Sequence, residues 1–486
     1  MSDPYTTVVG LEVHVQLLTR TKLFCGCPTT FGLPPNSATC PVCLGMPGVL
    51  PVMNRAAFDL ALKAATALNC TIAPFTKWDR KNYYYPDLPK NYQISQYDLP
   101  FSENGHLEID TPAGTKRVGI IRAHLEEDAG KSMHDESGRG QVSKIDLNRT
   151  GTPLLEIVSR PEINAPEEAV TYLQELRLML RELGVSDCEM QEGSLRCDAN
   201  VNVHIPQADG SVAATPLVEV KNLNSFRAVE RAIKYEAQRQ YEQFREDGKR
   251  FGELPKATAG WDDAKGVTRV QRRKEEASDY RYFPEPDLMP VEVDEAWLNR
   301  VRASLGELPG PQRLRLQSQY GLPAYDATVL VREGRKVVAY FEAVAAQCGD
   351  AKAAANWIAN KLFATPGARA DDGIAFPAES LAGLIATQKD MGLTKQISER
   401  VFDLMLAERL DAKAAVAKFG IKAVDSDALL SIVRKAIADN PKSVEDYKKG
   451  KAAAVQRIKG AVMKETKGAV KPDAVDALLA EELAKV

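Results

Sequence analysis

The fold is decided near the N-terminus by the stretch Val8-Val9-Gly10-Leu11-Glu12-Val13-His14-Val15-Gln16-Leu17. A β-strand has a side-chain period of two, which places the valines and leucines of this stretch on one face and Glu12 and His14 on the other. Such a strand covers a core and also presents a carboxylate and an imidazole side by side, about 7 Å apart. An ordinary sheet face that meets water is the alternative interpretation.

The size and charge of the chain narrow the possible classes of protein. A chain of 486 residues is too long for a single core, so several domains are expected. The net charge of -3 argues against a protein that binds a polyanion over its whole surface, so any contact with nucleic acid should be local. No apolar run approaches the length of a membrane span, and no cationic leader precedes an apolar core. We therefore expect a soluble cytoplasmic protein that does not enter a membrane.

Four of the eight cysteines lie within nineteen residues, as the pairs Cys25/Cys27 and Cys40/Cys43. Each pair lies in a turn rich in glycine and proline that can direct two thiolates to one point. This spacing predicts a tetrahedral zinc site whose four sulfur ligands leave no open position, so its role would be structural. A redox-active cysteine pair is the competing interpretation.

Carboxylates form a second group of candidates. Glu126 lies in a run of three acidic residues, and oxygen ligands of this kind suit Mg²⁺, although a solvated acidic turn would have the same sequence. Glu156 alternates with apolar residues in a predicted strand, so its carboxylate should either face water or be paired.

Two later strands repeat the alternation of the first. Arg196, Asp198 and Asn200 share one face of a predicted strand, and Lys221 shares a face with Glu219 in the next. Several strands with a polar upper face favour a functional sheet surface over a solvated one. Cations that bind phosphate oxygens, together with carboxylates that hold a metal, are what phosphoryl transfer needs.

Helices are expected to dominate after Pro290, and the chain ends in a basic segment. Residues 442–471 hold nine Lys and Arg against three acidic residues, which favours local contact with an RNA backbone. A solvated helical face is the alternative. The cations that we expect to bind RNA are Lys448, Lys449, Lys451, Arg457, Lys464 and Lys467.

Six long motifs, in this order, resemble the GatB family, the B subunits of aspartyl/glutamyl-tRNA amidotransferases. They are Gly10-Leu-Glu-Val-His, Asp79-Arg-Lys-Asn-Tyr with Pro89-Lys-Asn-Tyr-Gln-Ile-Ser-Gln, His124-Leu-Glu-Glu-Asp-Ala-Gly-Lys, Asn148-Arg-Thr-Gly-Thr-Pro-Leu-Leu-Glu-Ile, Glu192-Gly-Ser-Leu-Arg-Cys-Asp-Ala-Asn-Val and Asp279-Tyr-Arg-Tyr-Phe-Pro-Glu-Pro-Asp-Leu. The resemblance extends over essentially the whole chain.

The resemblance implies a ligase that uses glutamine as its amide donor. In this family the B subunit uses ATP and Mg²⁺ to phosphorylate the side-chain carboxylate of Glu-tRNA(Gln) or Asp-tRNA(Asn). Ammonia released by the glutaminase (A) component then displaces phosphate, and the small C component completes the heterotrimer. The expected partners are therefore the A and C components of the amidotransferase, tRNA(Gln) and tRNA(Asn). A non-catalytic tRNA-binding scaffold is the alternative function.

The resemblance also assigns roles to residues. It implies that Glu12, His14, Glu126 and Glu156 bind Mg²⁺ and that Lys81 and Lys90 belong to the wall of a polar ammonia passage. Among the candidates for contact with ATP are Glu12, His14, Arg196, Lys221 and Arg281, and Asp198 and Asn200 complete the expected catalytic face.

The predicted fold class is α+β. Residues 1–293 should form a curved antiparallel sheet with helices, which in this family resembles the cradle of glutamine synthetase and here contains the zinc insertion near residues 25–43. Residues 294–404 should form a helical linker domain, and residues 405–486 a helical tRNA-binding tail.

Overall fold

The structure is a computed structural model that describes residues 4–133, 143–273, 279–370, 373–419, 426–449, 451–466, 470 and 472–485. The chain divides into two compact units, Met1–Pro309 and Gly310–Val486. An N-terminal unit of sheet and helices precedes a mainly helical one, which confirms the predicted α+β class.

The N-terminal unit contains seventeen strands within the described ranges. They are β1 (Thr6–Gln16), β2 (Thr71–Ile72), β3 (Phe75–Thr76), β4 (Asp79–Asn82), β5 (Tyr92–Ser95), β6 (Ser102–Thr111), β7 (Gly114–Glu127), β8 (Lys131–Met133), β9 (Lys144–Asp146), β10 (Pro153–Ser159), β11 (Leu195–Pro206), β12 (Val212–Ala214), β13 (Val218–Lys221), β14 (Ala257–Asp262), β15 (Val267–Arg273), β16 (Phe283–Pro284) and β17 (Val291–Glu292). Its helices are α1 (Pro41–Leu44), α2 (Arg55–Ala67), α3 (Pro166–Glu182), α4 (Phe226–Asp247) and α5 (Glu295–Ser304).

One large sheet dominates this unit, with the strand order β15-β14-β13-β11-β1-β10-β7-β6-β2 and with β12 beside β11. Among the described residues, the predicted antiparallel arrangement holds for every pair of strands in this sheet except β13 and β14, which run parallel. Strand β1 lies in the interior of the sheet, between β10 and β11. The stretch that decides the fold therefore has neighbours on both sides.

The core lies beneath one face of this sheet. Val9, Leu11, Val13 and Val15 of β1 are at most 1% exposed, which confirms the face that the alternation predicted. Buried residues of α2, α3, α4 and α5 belong to the same apolar cluster. The helices thus pack on the apolar face of the sheet, and the polar side chains of β1 lie on its other face.

The C-terminal unit is built from helices. They are α6 (Pro309–Tyr320), which begins at the boundary, α7 (Ala324–Arg332), α8 (Arg335–Cys348), α9 (Ala351–Trp357), α10 (Ala378–Asp390), α11 (Lys395–Glu408), α12 (Ala412–Lys418), α13 (Ser426–Ala438), α14 (Pro441–Lys448), α15 (Val455–Glu465) and α16 (Pro472–Leu483), with the short hairpin β18 (Arg369–Ala370) and β19 (Gly373–Ile374). A π-helical turn, Ile358–Leu362, follows α9, and a 3₁₀ turn, Ala452–Ala454, precedes α15. The division at residues 293 and 404 stays a prediction.

The last helices share a core of their own. Val433 of α13, Ile458 and Val462 of α15 and Val475 and Leu479 of α16 are completely buried. Ile458 and Val462 are four residues apart, so they lie on one side of α15 and leave the opposite side to polar residues.

Candidate active site

Four polar residues form a row across neighbouring strands on the polar face of the large sheet. Arg196 of β11 pairs with His14 of β1, His14 pairs with Glu156 of β10, and Glu156 pairs with His124 of β7. Neighbouring strands are about 4.8 Å apart, so the row spans roughly 14 Å. Strand pairing thus brings together residues that are far apart in the sequence.

Carboxylates surround the imidazole of His14. Its Nε2 lies 3.4 Å from an oxygen of Glu156, 3.5 Å from one of Glu126 and 3.9 Å from one of Glu12. The Nε2 of His124 lies 3.6 Å from the same Glu156 oxygen. Two sets of three potential ligand atoms result, Glu12/His14/Glu156 and His124/Glu126/Glu156, and within each set the atoms lie within 4.8 Å of one another.

This group carries an excess of negative charge. Burial and the nearby charge of Glu156 raise the pKa of Glu126 to about 7. Burial alone would lower the pKa of His14, but the hydrogen bond and the charge of Glu156 raise it to about 9. In the described part of the chain, the Oε2 atom of Glu126 is buried without a hydrogen-bond partner. A divalent cation would supply the missing positive charge and a partner for this oxygen.

Lys81 lies close to these carboxylates. Its ammonium is 5.0 Å from the ring centroid of Tyr280 and 5.7 Å from that of Tyr83. Burial opposes the charge of Lys81, but Glu126 and the neighbouring Tyr282 raise its pKa. A partly buried ammonium next to a carboxylate site is suited to hold a negatively charged substrate group.

Lys90 contacts a different carboxylate. It forms a buried ion pair with Glu127, whose Oε1 also accepts a hydrogen bond of 2.9 Å from the backbone of Ile94. Side chains alternate along β7, so Glu127 points away from Glu126. Lys81 and Lys90 are therefore engaged with carboxylates on opposite sides of one strand, and their role in an ammonia passage stays a prediction.

Arg196 is held by an acid that the sequence analysis did not single out as a site residue. Its Nη2 donates to the Oδ2 atom of Asp128 at 2.8 Å, and Gln16 donates to the same oxygen at 2.9 Å. The Nε of Arg196 is buried without a partner in the described residues. Asp128 directly follows β7, which carries His124. The one hint in the sequence was that Gln16 lies on the same face of β1 as His14, because side chains two residues apart in a strand share a face.

A second polar group adjoins Glu12. Asp198 is the strand partner of Glu12, and its Oδ2 lies 2.6 Å from the ammonium of Lys221, which is also 3.6 Å from Glu219. The Oδ1 atom of Asn200 is buried and, among the described residues, has no partner. The predicted catalytic face is thus continuous from Lys221 to Glu126.

Arg281, a predicted ATP contact, is not connected to this row. Among the described residues, no hydrogen bond or ion pair links its side chain to the row. Its side chain is exposed, its backbone N–H donates to Asp279, and its carbonyl accepts from Asn82. The residues on either side, Tyr280 and Tyr282, form an edge-on ring pair with centroids 6.0 Å apart.

The four clustered cysteines converge. One sulfur from each of Cys25, Cys27, Cys40 and Cys43 lies within 4.8 Å of the others, so the cluster could hold a metal ion. The backbone N–H of Cys40 donates to the sulfur of Cys43 at 3.2 Å. A hydrogen bond from Cys25 and the charge of Lys22 lower the pKa of Cys43 to about 4 despite burial. This direction favours the thiolate, which is the form of the sulfur that binds metals.

Most of the predicted RNA-binding cations lie on exposed positions of the tail. Arg457 and Lys464 project from α15 on the side opposite Ile458 and Val462, and no acid within the described ranges lies within 4.0 Å of either. Lys449 and Lys451 instead pair with Glu445 at 2.5 Å and Asp446 at 3.1 Å. Lys448 is also exposed, and Lys467 lies outside the described residues.

Known proteins resemble this chain over its full length. Residues 7–299 match the family model described as GatB/GatE catalytic domain, and residues 339–483 match one described as GatB domain. The chain is 53% identical to the B subunit of the aspartyl/glutamyl-tRNA(Asn/Gln) amidotransferase of Rhodopirellula baltica, over 99% of this chain and 98% of that protein. The proteins of the same name from Moorella thermoacetica and Carboxydothermus hydrogenoformans are 49% and 48% identical over 99% of this chain and 100% and 99% of their own lengths.

None of the helices in the described part of the chain has both the length and the apolar character that a bilayer-spanning segment needs.

Proposed function

This chain belongs to the GatB family of aspartyl/glutamyl-tRNA amidotransferase B subunits, and from that premise we propose that it activates the side-chain carboxylate of misacylated tRNA with ATP. The substrates would be Glu-tRNA(Gln) and Asp-tRNA(Asn). The observation that carries the proposal is the convergence of Glu12, Glu126 and Glu156 on His14 in the interior of the sheet.

The reaction has two steps. An oxygen of the substrate carboxylate attacks the γ-phosphorus of ATP, the bond to the β,γ-bridging oxygen breaks, and an acyl phosphate and ADP form. The nitrogen of ammonia then attacks the acyl carbon, the bond from this carbon to the phosphate oxygen breaks, phosphate leaves with the proton that the nitrogen gives up, and the amide remains on the tRNA. Negative charge accumulates on the phosphoryl oxygens in the first step, so cations must be positioned around them.

The cations in and around the row suit this task. Arg196 and Lys221 would contact phosphate oxygens, and their salt bridges with Asp128 and Asp198 fix their side chains before substrate binds. Lys81 would hold the substrate carboxylate near the attacked phosphorus. Arg281 would contact the nucleotide by turning its exposed side chain toward the row.

The carboxylates suit Mg²⁺. Glu12, Glu126 and Glu156 offer hard oxygen ligands, and His14 completes the predicted set. Among the described residues the buried Oε2 of Glu126 has no hydrogen-bond partner, so this oxygen is free to bind a metal ion. When bound, Mg²⁺ would neutralise phosphate charge. His124, which forms the second set of potential ligands with Glu126 and Glu156, is a further candidate.

Ammonia would come from another polypeptide. The relatives are named as B subunits, and a glutaminase (A) component with a small C component would complete a heterotrimer. Lys81 and Lys90 would line the path by which ammonia reaches the acyl phosphate. Phosphoryl transfer, amidation and these partners are thus parts of one proposal.

The four cysteines would hold Zn²⁺ in a structural role. A tetrahedral zinc with bonds of about 2.3 Å to sulfur places the sulfurs roughly 3.8 Å apart, which is compatible with their separation here. Because all four positions are taken by sulfur, the metal would stabilise the knuckle and take no part in the reaction.

The test uses the assembled enzyme with ATP and Glu-tRNA(Gln). Glu12→Gln and His14→Ala should each abolish tRNA-dependent release of phosphate and leave tRNA binding intact. Glu108→Gln, which changes an exposed carboxylate of the same sheet, is the matched control and should be fully active. Unchanged phosphate release by the site variants would refute the site. If the unmodified enzyme released no phosphate, the alternative function, a tRNA-binding scaffold, would be favoured.

A further inference from the structure

Lys22 is a completely buried lysine next to the cysteine cluster. Its ammonium donates to the backbone carbonyl of Ala38 at 2.7 Å and lies 3.6 Å from the sulfur of Cys43 and 3.5 Å from the carbonyl of Leu147. Within the described ranges, no carboxylate lies within 4.0 Å of it. Its side chain is thus an ammonium in the interior that contacts two carbonyls and a sulfur.

Such an ammonium needs a negative partner, because neutral carbonyls offset only part of the cost of removing a full charge from water. Glu127 is an acidic side chain that, like Lys22, lies close to Gly151. It is already paired with Lys90, and it accepts a hydrogen bond from the backbone N–H of Ile94. The remaining candidate is the sulfur of Cys43, which Lys22 contacts directly.

We propose that Lys22 is the internal counter-ion of the metal-loaded cysteine cluster. Four thiolates and one Zn²⁺ have a net charge of -2, and the ammonium reduces it to -1 inside the protein. The inference rests on the zinc site proposed above and goes beyond it, since it assigns the charge balance to a residue that is not a ligand. Lys22 is a positioning residue that acts through Cys43.

The segments around Lys22 also connect the metal site to the strand that carries Glu156. The backbone N–H of Ala38 donates to the side chain of Asn148 at 2.8 Å, and the N–H of Leu23 donates to the carbonyl of Gly151 at 2.8 Å. Both acceptors lie in the turn that leads into β10. Loss of the metal would change the charge that faces the ammonium beneath this turn.

Two variants and one control test the proposal in the full-length chain. Lys22→Met keeps the length of the side chain and removes its charge, and Lys22→Gln keeps a hydrogen-bond donor without the charge. Lys63→Met is the control, because Lys63 also donates to a backbone carbonyl, that of Leu183 at 2.7 Å, but belongs to α2, outside the cysteine segment. Each protein is loaded with Zn²⁺ and titrated with a chelator.

Both Lys22 variants should bind Zn²⁺ about 10- to 100-fold more weakly, and the control should bind it like the unmodified protein. Thermal melting should show that the effect depends on the metal. Metal-loaded Lys22→Met should melt below the metal-loaded unmodified chain, and this difference should become smaller after metal removal, because the cluster then presents less negative charge for Lys22 to balance. In Co²⁺-loaded protein, the thiolate charge-transfer band of Lys22→Met should move to longer wavelength, since Cys43 loses a hydrogen-bond donor.

Three results would overturn the inference. Unaltered Zn²⁺ affinity in both variants would show that the charge of Lys22 does not contribute to metal binding. The same conclusion would follow if Lys22→Gln alone bound Zn²⁺ with the affinity of the unmodified chain. Equal destabilisation with and without metal would show that Lys22 only fills space. If Lys22→Met does not fold, Lys22→Gln decides alone. An unmodified chain that binds no Zn²⁺ would refute the zinc site itself, which is a different failure.

Discussion

The paired substitution Arg457→Gln with Lys464→Gln should change how tRNA binding depends on salt. These cations are seven residues apart on α15, so they lie on one side of the helix, and both are exposed. Within the described ranges, no acid within 4.0 Å competes for either of them. Among the described residues they are therefore predicted RNA-binding cations that are available to phosphate.

The magnitude follows from counterion release. Each phosphate contact contributes about 0.9 to the slope of log affinity against log salt concentration, so loss of two contacts should reduce the slope by about 1.8. Between about 50 and 200 mM salt, a fourfold change, the affinity difference from the unmodified enzyme should shrink by roughly 12-fold.

Lys449→Gln with Lys451→Gln is the matched control, because it removes the same charge. These lysines already pair with Glu445 and Asp446, and breaking an exposed pair to reach a phosphate costs about 0.2–1 kcal/mol. Its effect on the slope should be clearly smaller. Fluorescence anisotropy of labelled tRNA with the assembled enzyme, at several salt concentrations, measures both slopes. An unaltered slope for the Arg457/Lys464 variant, or equal effects of the two variants, would refute the reasoning.

Three further predictions concern the reaction and the two cores. Glu156→Gln removes the carboxylate shared by both ligand groups and should reduce tRNA-dependent ATP cleavage at least about 100-fold in a phosphate-release assay, with tRNA affinity unchanged; retained activity would show that Glu156 is only structural. Phe58→Ala should lower the free energy of unfolding by about 3–5 kcal/mol in denaturant titration, because Phe58 is completely buried against Phe101 and Trp297, and a loss below about 1 kcal/mol would contradict this packing. Hydrogen bonds from Arg434 and Lys485 lower the pKa of Glu482 to about 2, so their contribution to the stability of the tail should be complete above pH 4.5 and be lost as the pH falls toward 2. Glu482→Gln should flatten this part of the melting-temperature profile, and an unchanged profile would exclude Glu482 as its source.

The first strand shows what the sequence could predict. Alternation of Val9, Leu11, Val13 and Val15 with polar residues correctly identified the buried face, because a period of two is a local property of the chain. The helical period of α15 likewise accounts for the burial of Ile458 inside the tail and for the exposure of Arg457.

The register between strands could not be predicted in this way. That His124, Glu156, His14 and Arg196 form one row depends on pairings between segments separated by up to 182 positions in the numbering, and a shift of one residue would turn each side chain to the other face. For the same reason the pairing of Arg196 with Asp128 and the contact of Lys22 with Cys43 became visible only in three dimensions. The sequence identified the acidic residues of the site but not the residues with which they pair.

The position of β1 between β10 and β11 also has a consequence for the synthesis of the chain. This strand leaves the ribosome well before its second neighbour, Leu195–Pro206, which follows almost two hundred residues later. At about 5–20 residues per second, that delay is roughly 10 to 40 s. During this time the apolar strand has unpaired backbone groups and can associate with other chains. We therefore expect the nascent chain to need protection by chaperones before its sheet can close.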